Sequence, residues 1–337
     1  MEVLLLAGGN SSEREVSFNS GQAIIDALRR LGHKVAALDP ATGIDLLDSS
    51  GQYVSIGIDS NESIPDTLNS EIITTTLTSH ALENVDVVFI GLHGGMGENG
   101  TIQCLLDLAG IKYTGSGMAA SAIAMDKAMT KRLAASMKIR TPKWALCQIE
   151  GGTDEVEVLE QIRSNFDFPM IVKPNDSGST VGLTRVEAPR QLYPALVKAS
   201  GESHNVLVEK YIKGRELTVS VIDGQPLPIV EIIPEGGLYD YKAKYTKGKS
   251  QYIVPAEIRR EIKKSLQEDA VRVYEIIGAT GLVRVDFILD ENEKHYFLEL
   301  NTLPGMTELS LVPMAAKAAG IKFDDLIAKL LDSALKQ

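Results

Sequence analysis

Three oxygen-bearing residues near the C-terminal end, Asp286, Glu299 and Asn301, are spaced to act together. The stretch "LVRVDFILD" (282–290) alternates, with Val283, Val285, Phe287 and Leu289 to one side and Arg284, Asp286 and Ile288 to the other. "HYFLELN" (295–301) alternates too, giving one face to Tyr296, Leu298 and Leu300 and the other to Phe297, Glu299 and Asn301. A four-residue loop, Glu291 to Lys294, pairs Asp290 with His295. That register sets Asp286 opposite Glu299 and Arg284 opposite Asn301. Two carboxylates and an amide oxygen then converge. Like charges so close repel and raise each other's pKa, and their desolvation is costly. A hard cation, Mg²⁺ or Mn²⁺, relieves both costs, because it takes such oxygen ligands and keeps places for water and substrate phosphate. The plain alternative is a solvated polar face with an Asp–Arg surface pair.

Lys173 ends the apolar strand "PMIVKP" and precedes the loop "NDSGSTVGL". A lysine in an apolar strand needs a partner. Gly178 lets a ligand approach the backbone, successive N–H groups there can cradle phosphate, and Ser179 and Thr180 add hydroxyl donors. A simple hairpin turn would use the same residues. The loop lacks P-loop spacing, and no G-x-G-x-x-G follows the first strand, which argues against a dehydrogenase. "VLVEKYIKGRE" puts Glu209, Lys210, Tyr211 and Ile212 at a strand end. Acceptors alternating there can read an adenine edge, with Glu216 near a ribose. A charged edge strand is the competing reading.

The elements that must position these groups follow from the hydrophobic pattern. The first third alternates strand and helix: "EVLLL", a helix from Ser12 to Gly32, "HKVAALD", "DVVFIGLHG", then a helix opened by "GTIQCLLDLAG". That order predicts a parallel sheet with helices on both faces, and ligands at the carboxyl ends of its strands. Both "AGGNSSERE" and "HGGMGENG" fall there. Ser12 with Glu15 reads as a capping box, which gives Glu15 a local role and Glu13 none. From Ser121 the pattern turns α+β and antiparallel: a helix, the strands "KWALC", "PMIVKP", "VLVEKYI" and "ELTVSVI", and a helix near 189–200. Residues 234–252 read as a long loop of the kind that forms lids. A helix at 256–277, a hairpin and two helices complete the pattern.

At 337 residues, two or three domains are expected. The net charge of −11 argues against a nucleic-acid or anionic-membrane surface. Cys104 and Cys147 form no framework and read as reduced core thiols. No apolar segment reaches membrane-spanning length and the N-terminus has no signal-peptide pattern, so a soluble, cytoplasmic protein is expected.

Taken together, these residues resemble the ATP-grasp superfamily and, within it, the D-alanine–D-alanine ligases. The resemblance spans nearly the whole chain through "LLLAGGNSSEREVS", "GLHGGMGENGTIQ", "YTGSG", "MDK", "IVKPNDSGSTVG", "VEKYIKGRE", "YDYKAKY", "VRVDF" and "ELNTLPGMTELSLVP", in family order. It implies an N-terminal α/β domain (1–118), a central domain (119–212), and a C-terminal domain (213–337) with the lid loop and the metal hairpin. ATP would lie between two antiparallel sheets with two Mg²⁺ or Mn²⁺ ions, and D-alanine would be joined to D-alanine through an acyl phosphate for peptidoglycan precursors. By the same resemblance Asp286, Glu299 and Asn301 are metal ligands; Lys127, Lys173 and Lys244 hold phosphates; Glu209, Lys210 and Ile212 contact adenine; and Glu216 contacts the ribose. Glu13 and His93 match contacts to the first D-alanine, and Ser310 and Leu311 contacts to the second. Arg284 and the Gly305 N–H match an oxyanion site, and Ser179 with Tyr245 a hydrogen-bonded pair. Family relatives are often homodimers. Tyr245 and Leu311 favour D-alanine as second substrate over D-lactate or D-serine; a non-catalytic nucleotide-binding relative is the remaining alternative. Asn99, Asp176 and Glu308 depart from the family's usual residues, and Glu308 lies beside the second-substrate position.

Overall fold

A computed structural model describes residues 1–54, 82, 84–149, 155–236, 248–307 and 309–337. Lys244, Tyr245, Glu308 and most of the 234–252 loop lie outside the described residues.

The N-terminal sheet contains β1 (Glu2–Leu6), β2 (Lys34–Asp39), β3 (Ile44–Asp45) and β4 (Val87–Ile90), in the order β3-β2-β1-β4. β1 pairs in parallel with both β2 and β4. Burial on both faces explains why "VLLL" and "VVFI" are continuous apolar runs. Helix α1 (Arg14–Arg30) starts later than the sequence suggests. Glu13 is itself the N-cap residue, and the Ser11 hydroxyl, not Ser12, accepts from Glu13 N–H at 3.1 Å. The Ser12–Glu15 box therefore does not form, and the turn aims Glu13 inward, where it is buried. Helix α2 (Thr101–Ala109) follows β4.

Helices α3 (Met118–Met125) and α4 (Lys127–Ser136) come next. The central sheet has the antiparallel order β5-β8-β6-β7, from β5 (Trp144–Gln148), β6 (Met170–Pro174), β7 (Thr184–Val186) and β8 (Asn205–Lys210). Helices α5 (Glu155–Asn165) and α6 (Leu192–Ser200) cover it through Ile162, Phe166, Leu192 and Leu196. Cys104 and Cys147 are free but only half-buried: Cys104 lies off the buried side of α2, and Cys147 lies on edge strand β5.

The third sheet runs β12-β11-β9-β13-β14, with β10 beside β9. Its strands are β9 (Gly214–Ile222), β10 (Gln225–Pro226), β11 (Val230–Pro234), β12 (Ser250–Ile253), β13 (Leu282–Asp290) and β14 (His295–Asn301). One face packs on α7 (Arg260–Ile276), through Ile262, Leu266 and Val273, and on Ala124, Ala134 and Ile139 of the α3–α4 region. Residues 256–259 are not helical as expected; Ala256 N–H instead bonds the Ile229 carbonyl at 2.8 Å. After α8 (Leu311–Ala318), helix α9 (Phe323–Lys336) returns to the N-terminal unit, where Leu326, Ile327, Leu330 and Leu331 join one core with Ile24, Ile25 and Leu28 of α1. No helix among the described residues is long and apolar enough to cross a membrane.

The β13–β14 hairpin keeps the expected register where it matters and loses it at the turn. Asp286 faces Glu299 and Arg284 faces Asn301, but Leu289, not Asp290, faces His295. A β-bulge opposite Asp286 accounts for the difference, because Leu298 is an extra residue in β14. Strict alternation put Phe297 beside Glu299; the bulge turns it to the core instead. There Phe297 is fully buried and meets Phe287 edge-on at 6.0 Å. Phe287→Ala should therefore lower stability by about 3–5 kcal/mol, read from urea unfolding, through lost burial and a cavity.

Candidate active site

The two antiparallel sheets and the N-terminal loops enclose a cavity of about 660 Å³. Its lining brings together Glu13, His93, Lys127, Lys173, Ser179, Glu209, Lys210, Ile212, Glu216, Arg284, Asp286, Glu299, Asn301, Gly305, Ser310 and Leu311. Every described residue given a site role from the sequence thus reaches one space.

On the C-terminal floor, Arg284 forks Asp286, with Nε 3.0 Å from Oδ1 and Nη2 2.8 Å from Oδ2. Thr218 of β9 donates its hydroxyl to Asp286 Oδ1 at 2.6 Å. Glu299 Oε2 lies 3.8 Å from the Lys127 ammonium and 3.9 Å from that of Lys173. Asn301 Oδ1 accepts from Leu303 N–H at 2.9 Å, which fixes the amide above the floor. Two carboxylates and an amide oxygen on one strand-pair face are a donor set that suits Mg²⁺ or Mn²⁺. Among the described residues no cluster of three or more His, Cys, Asp and Glu closes around one point. So few protein ligands match Mg²⁺, which keeps several waters and is bound through one or two carboxylates plus phosphates.

Opposite the floor, Lys127 opens α4 and donates to the Ser177 carbonyl at 2.7 Å. Asp126 caps the same helix through Met129 N–H at 2.8 Å, and Asn175 bonds both Asp126 and Ala128 N–H at 2.9 Å. These bonds lock the Lys127 turn to the loop after β6. Lys173 projects from β6 onto Glu209 Oε2 at 3.0 Å. Burial pulls the Lys173 pKa down, but the charges of Glu209 and Glu299 outweigh it and hold it above the usual value. Glu209 is likewise kept below its usual range, since Lys131 and Lys173 outweigh the burial that would raise it. Its two oxygens are ion-paired with these lysines, Oε1 with Lys131 at 2.6 Å by close charge contact without an aligned hydrogen bond, and Oε2 with Lys173 at 3.0 Å. Apolar walls of Ile171, Val181 and Ile212 on one side and Ile288 and Leu298 on the other leave a slot fit for a flat aromatic ring.

The N-terminal end of the cavity centres on Glu13. The Ser179 hydroxyl donates to Glu13 Oε1. A Cβ on Gly178 would lie 2.5 Å from Glu13 Oε2 and one on Gly94 2.8 Å, so two glycines make room for this carboxylate. Ser179 and Thr180 hold φ of +50° and +64°, a left-handed pair costing roughly 1–2 kcal/mol each. The hydroxyl partner expected for Ser179 was Tyr245, which lies outside the described residues; the partner described is Glu13. His93 uses both ring nitrogens: Nδ1–H donates to the Leu303 carbonyl at 2.8 Å, and Nε2 accepts from the Ser20 hydroxyl at 2.9 Å. Burial, above all, keeps it neutral. It thereby anchors the turn that carries Gly305. Ser310 holds the N-cap position of α8 without a side-chain capping bond; its hydroxyl instead accepts from Thr307 N–H at 3.1 Å and pairs with the Thr307 hydroxyl at 2.8 Å. Ser310 and Leu311, which open α8, line the cavity, and a helix N-terminus is a suitable seat for a carboxylate.

Sequence reasoning missed Lys131, Thr218 and Glu98. Lys131 follows Lys127 by four residues, the spacing of one helix face, and that signal was available. Thr218 is the polar inward residue in "ELTVSV". Glu98 stands in "HGGMGENG", directly before Asn99. Burial first, and the charge of Glu13 second, push the Glu98 carboxyl up to about 8. A raised folded pKa means the native protein holds a proton that the unfolded chain loses. Stability should therefore fall as pH rises from about 4.5 through about 8. Glu98→Gln should flatten that decline, as seen in unfolding midpoints across the range.

Residues 2–116 match the family described as "D-ala D-ala ligase N-terminus", and residues 133–332 match "D-ala D-ala ligase C-terminus". The D-alanine–D-alanine ligase of Syntrophotalea carbinolica is 41% identical over 99% of this chain and 96% of its own length. Among solved structures, the D-alanine–D-alanine ligase of Bacillus anthracis complexed with ATP superposes with a TM-score of 0.76 at 28% identity, covering 100% of this chain and 98% of that one. The VanG D-Ala:D-Ser ligase of Enterococcus faecalis gives 0.78 at 28% identity over 99% of both chains. The architecture is the ATP-grasp fold. With both halves matched and full-length relatives above 40% identity, the chain belongs to the D-alanine–D-alanine ligase family.

Proposed function

We infer that this chain is an ATP-dependent ligase that joins two D-alanines, releasing ADP and phosphate. The observation that carries the reading is the paired Asp286–Glu299 floor beneath Lys127 and Lys173, in a cavity that Glu13 and the start of α8 also line.

A carboxylate is a poor electrophile. Transfer of the ATP γ-phosphoryl group to a carboxylate oxygen makes an acyl phosphate and ADP, and gives the carbonyl a leaving group. Lys127 and Lys173 are placed to hold the phosphate chain, a step that depends on positioning and charge neutralisation. Divalent ions held by Asp286, Glu299 and Asn301 would neutralise phosphate charge. Glu13, with Ser179, takes the ammonium of the first alanine. The amine of the second, seated by its carboxylate at Ser310 and Leu311, attacks the carbonyl after losing a proton. Arg284 and Gly305 N–H receive the oxyanion, phosphate departs, and the peptide bond remains. Lys210 and Ile212 meet the adenine, and Glu216 the ribose; Glu209 contributes there through its backbone, its carboxylate being taken. The roles that the resemblance implies for Lys244 and Tyr245, toward the γ-phosphate and Ser179, fall on residues outside those described. The product is consumed in peptidoglycan precursor synthesis in the cytoplasm, and a homodimer is the expected assembly.

Phosphate release with D-alanine, L-alanine, D-serine and D-lactate, singly and in pairs, tests the reading. D-Alanine alone should support turnover. Release only when D-serine or D-lactate is added to D-alanine would transfer the chain to a ligase of that second substrate. ATP binding without release under any pairing would make it a non-catalytic relative.

A further inference from the structure

Lys131 does not line the cavity, yet its ammonium is fully buried directly behind the phosphate-facing wall. It lies 2.6 Å from Glu209 Oε1, while Lys173 lies 3.0 Å from Glu209 Oε2. One carboxylate is thus spanned by two ammonium groups, and of the two only Lys173 opens on the cavity. The remaining neighbours of Lys131 are the Thr141 hydroxyl at 3.0 Å, the Phe297 carbonyl at 3.5 Å and the Phe297 ring at 5.9 Å.

The charge count explains the arrangement. Glu209 and Lys173 alone would form a neutral pair, which exerts little pull on an anion. Adding Lys131 leaves the trio with one net positive charge. Stability alone gives little reason for a buried ion pair, since apolar groups of similar size serve as well or better.

We propose that Lys131 is a positioning residue for the nucleotide: it neutralises Glu209 from behind, so that Lys173 keeps its positive charge for the phosphate chain. The inference rests on the nucleotide reading of the cavity. Burial pulls the Lys131 ammonium down to about 8, and Glu209 opposes that pull, so the group is still charged at neutral pH. Lys127 and Lys131 then divide one helix face between them, the first meeting the cavity and the second supporting its wall.

The test is a double-mutant cycle read in two ways: ATP binding by titration, and phosphate release with D-alanine. Lys131→Met should weaken ATP binding and raise the KM for ATP by about tenfold or more, the size expected for one uncompensated charge at this distance. The KM for D-alanine should move less than threefold. Adding Glu209→Gln should reverse most of the loss, because the uncompensated carboxylate disappears with it. A packing role predicts the opposite, a second substitution that leaves binding no better or makes it worse. Lys131→Gln, which keeps hydrogen-bonding capacity without charge, runs in parallel in case the methionine variant fails to fold. Unchanged ATP affinity in folded Lys131 variants, or no recovery on adding Glu209→Gln, overturns the proposal and leaves the ligase reading intact. Wild-type protein that binds ATP but releases no phosphate overturns the ligase reading, and the binding cycle still decides the role of Lys131.

Discussion

Glu299→Gln should abolish phosphate release with D-alanine, lowering kcat by about 10³-fold or more. Glutamine keeps the shape and removes the charge. Glu299 lies 3.8 Å from the Lys127 ammonium and 3.9 Å from that of Lys173, and it shares its face with Asp286. On the proposed mechanism the change strips the floor of a divalent-ion ligand, and it removes a carboxylate just under 4 Å from Lys127 and Lys173, of which Lys173 keeps Glu209 as its ion-pair partner. Metal stabilisation of transferring phosphoryl groups is worth several kcal/mol, and each ~1.4 kcal/mol is tenfold in rate. The fold should be spared: the side chain is 30% exposed and belongs to no apolar cluster. Matched unfolding midpoints with lost turnover are the expected pair of results. Turnover within tenfold of wild type would remove Glu299, and the floor with it, from the mechanism.

Arg284→Met should lower kcat by about 10²–10³-fold, the range seen when one oxyanion donor is removed. A second effect travels with it. Asp286 loses its guanidinium fork and keeps only the Thr218 hydroxyl. Leaving a buried carboxylate short of a partner destabilises by roughly 3 kcal/mol, so kcat must be referred to folded enzyme. Lysine should not rescue the variant, because an ammonium cannot reproduce a planar two-point contact. Steady-state kinetics separate the two effects: oxyanion loss lowers kcat at saturating ATP, whereas a displaced Asp286 raises the KM for ATP. Full activity in Arg284→Lys would mean that only the positive charge is used.

The architecture was largely legible because its signals are local. Buried parallel strands read as apolar runs, and the alternation in β13 put Arg284, Asp286 and Ile288 on one face, as observed. The pairing of Asp286 with Glu299 followed from a loop count that was wrong by one residue at the turn and corrected by the bulge. Nothing in "HYFLELN" marks Leu298 as the extra residue; the mate of each residue is set by β13 and β9 together. The Ser12–Glu15 box had good local chemistry and lost to a tertiary demand, the burial of Glu13 against Gly94 and Gly178. Lys131, Thr218 and Glu98 share one difficulty: their roles depend on groups far away in the chain. Of the three, Lys131 alone leaves a periodic trace, its four-residue spacing from Lys127.

The surplus residue in β14 also shapes what the cavity can discriminate. An ordinary pleated strand offers one ligand-facing side chain every two residues, about 6.6 Å apart. Here Leu298 and Glu299, adjacent in sequence, both reach the same hollow. The passage from an oily surface to an ionic one is compressed into a single step of about 3.3 Å. A molecule with a greasy head and an anionic tail can meet that boundary sharply, whereas a uniformly polar or uniformly apolar guest would be mismatched on one side of it.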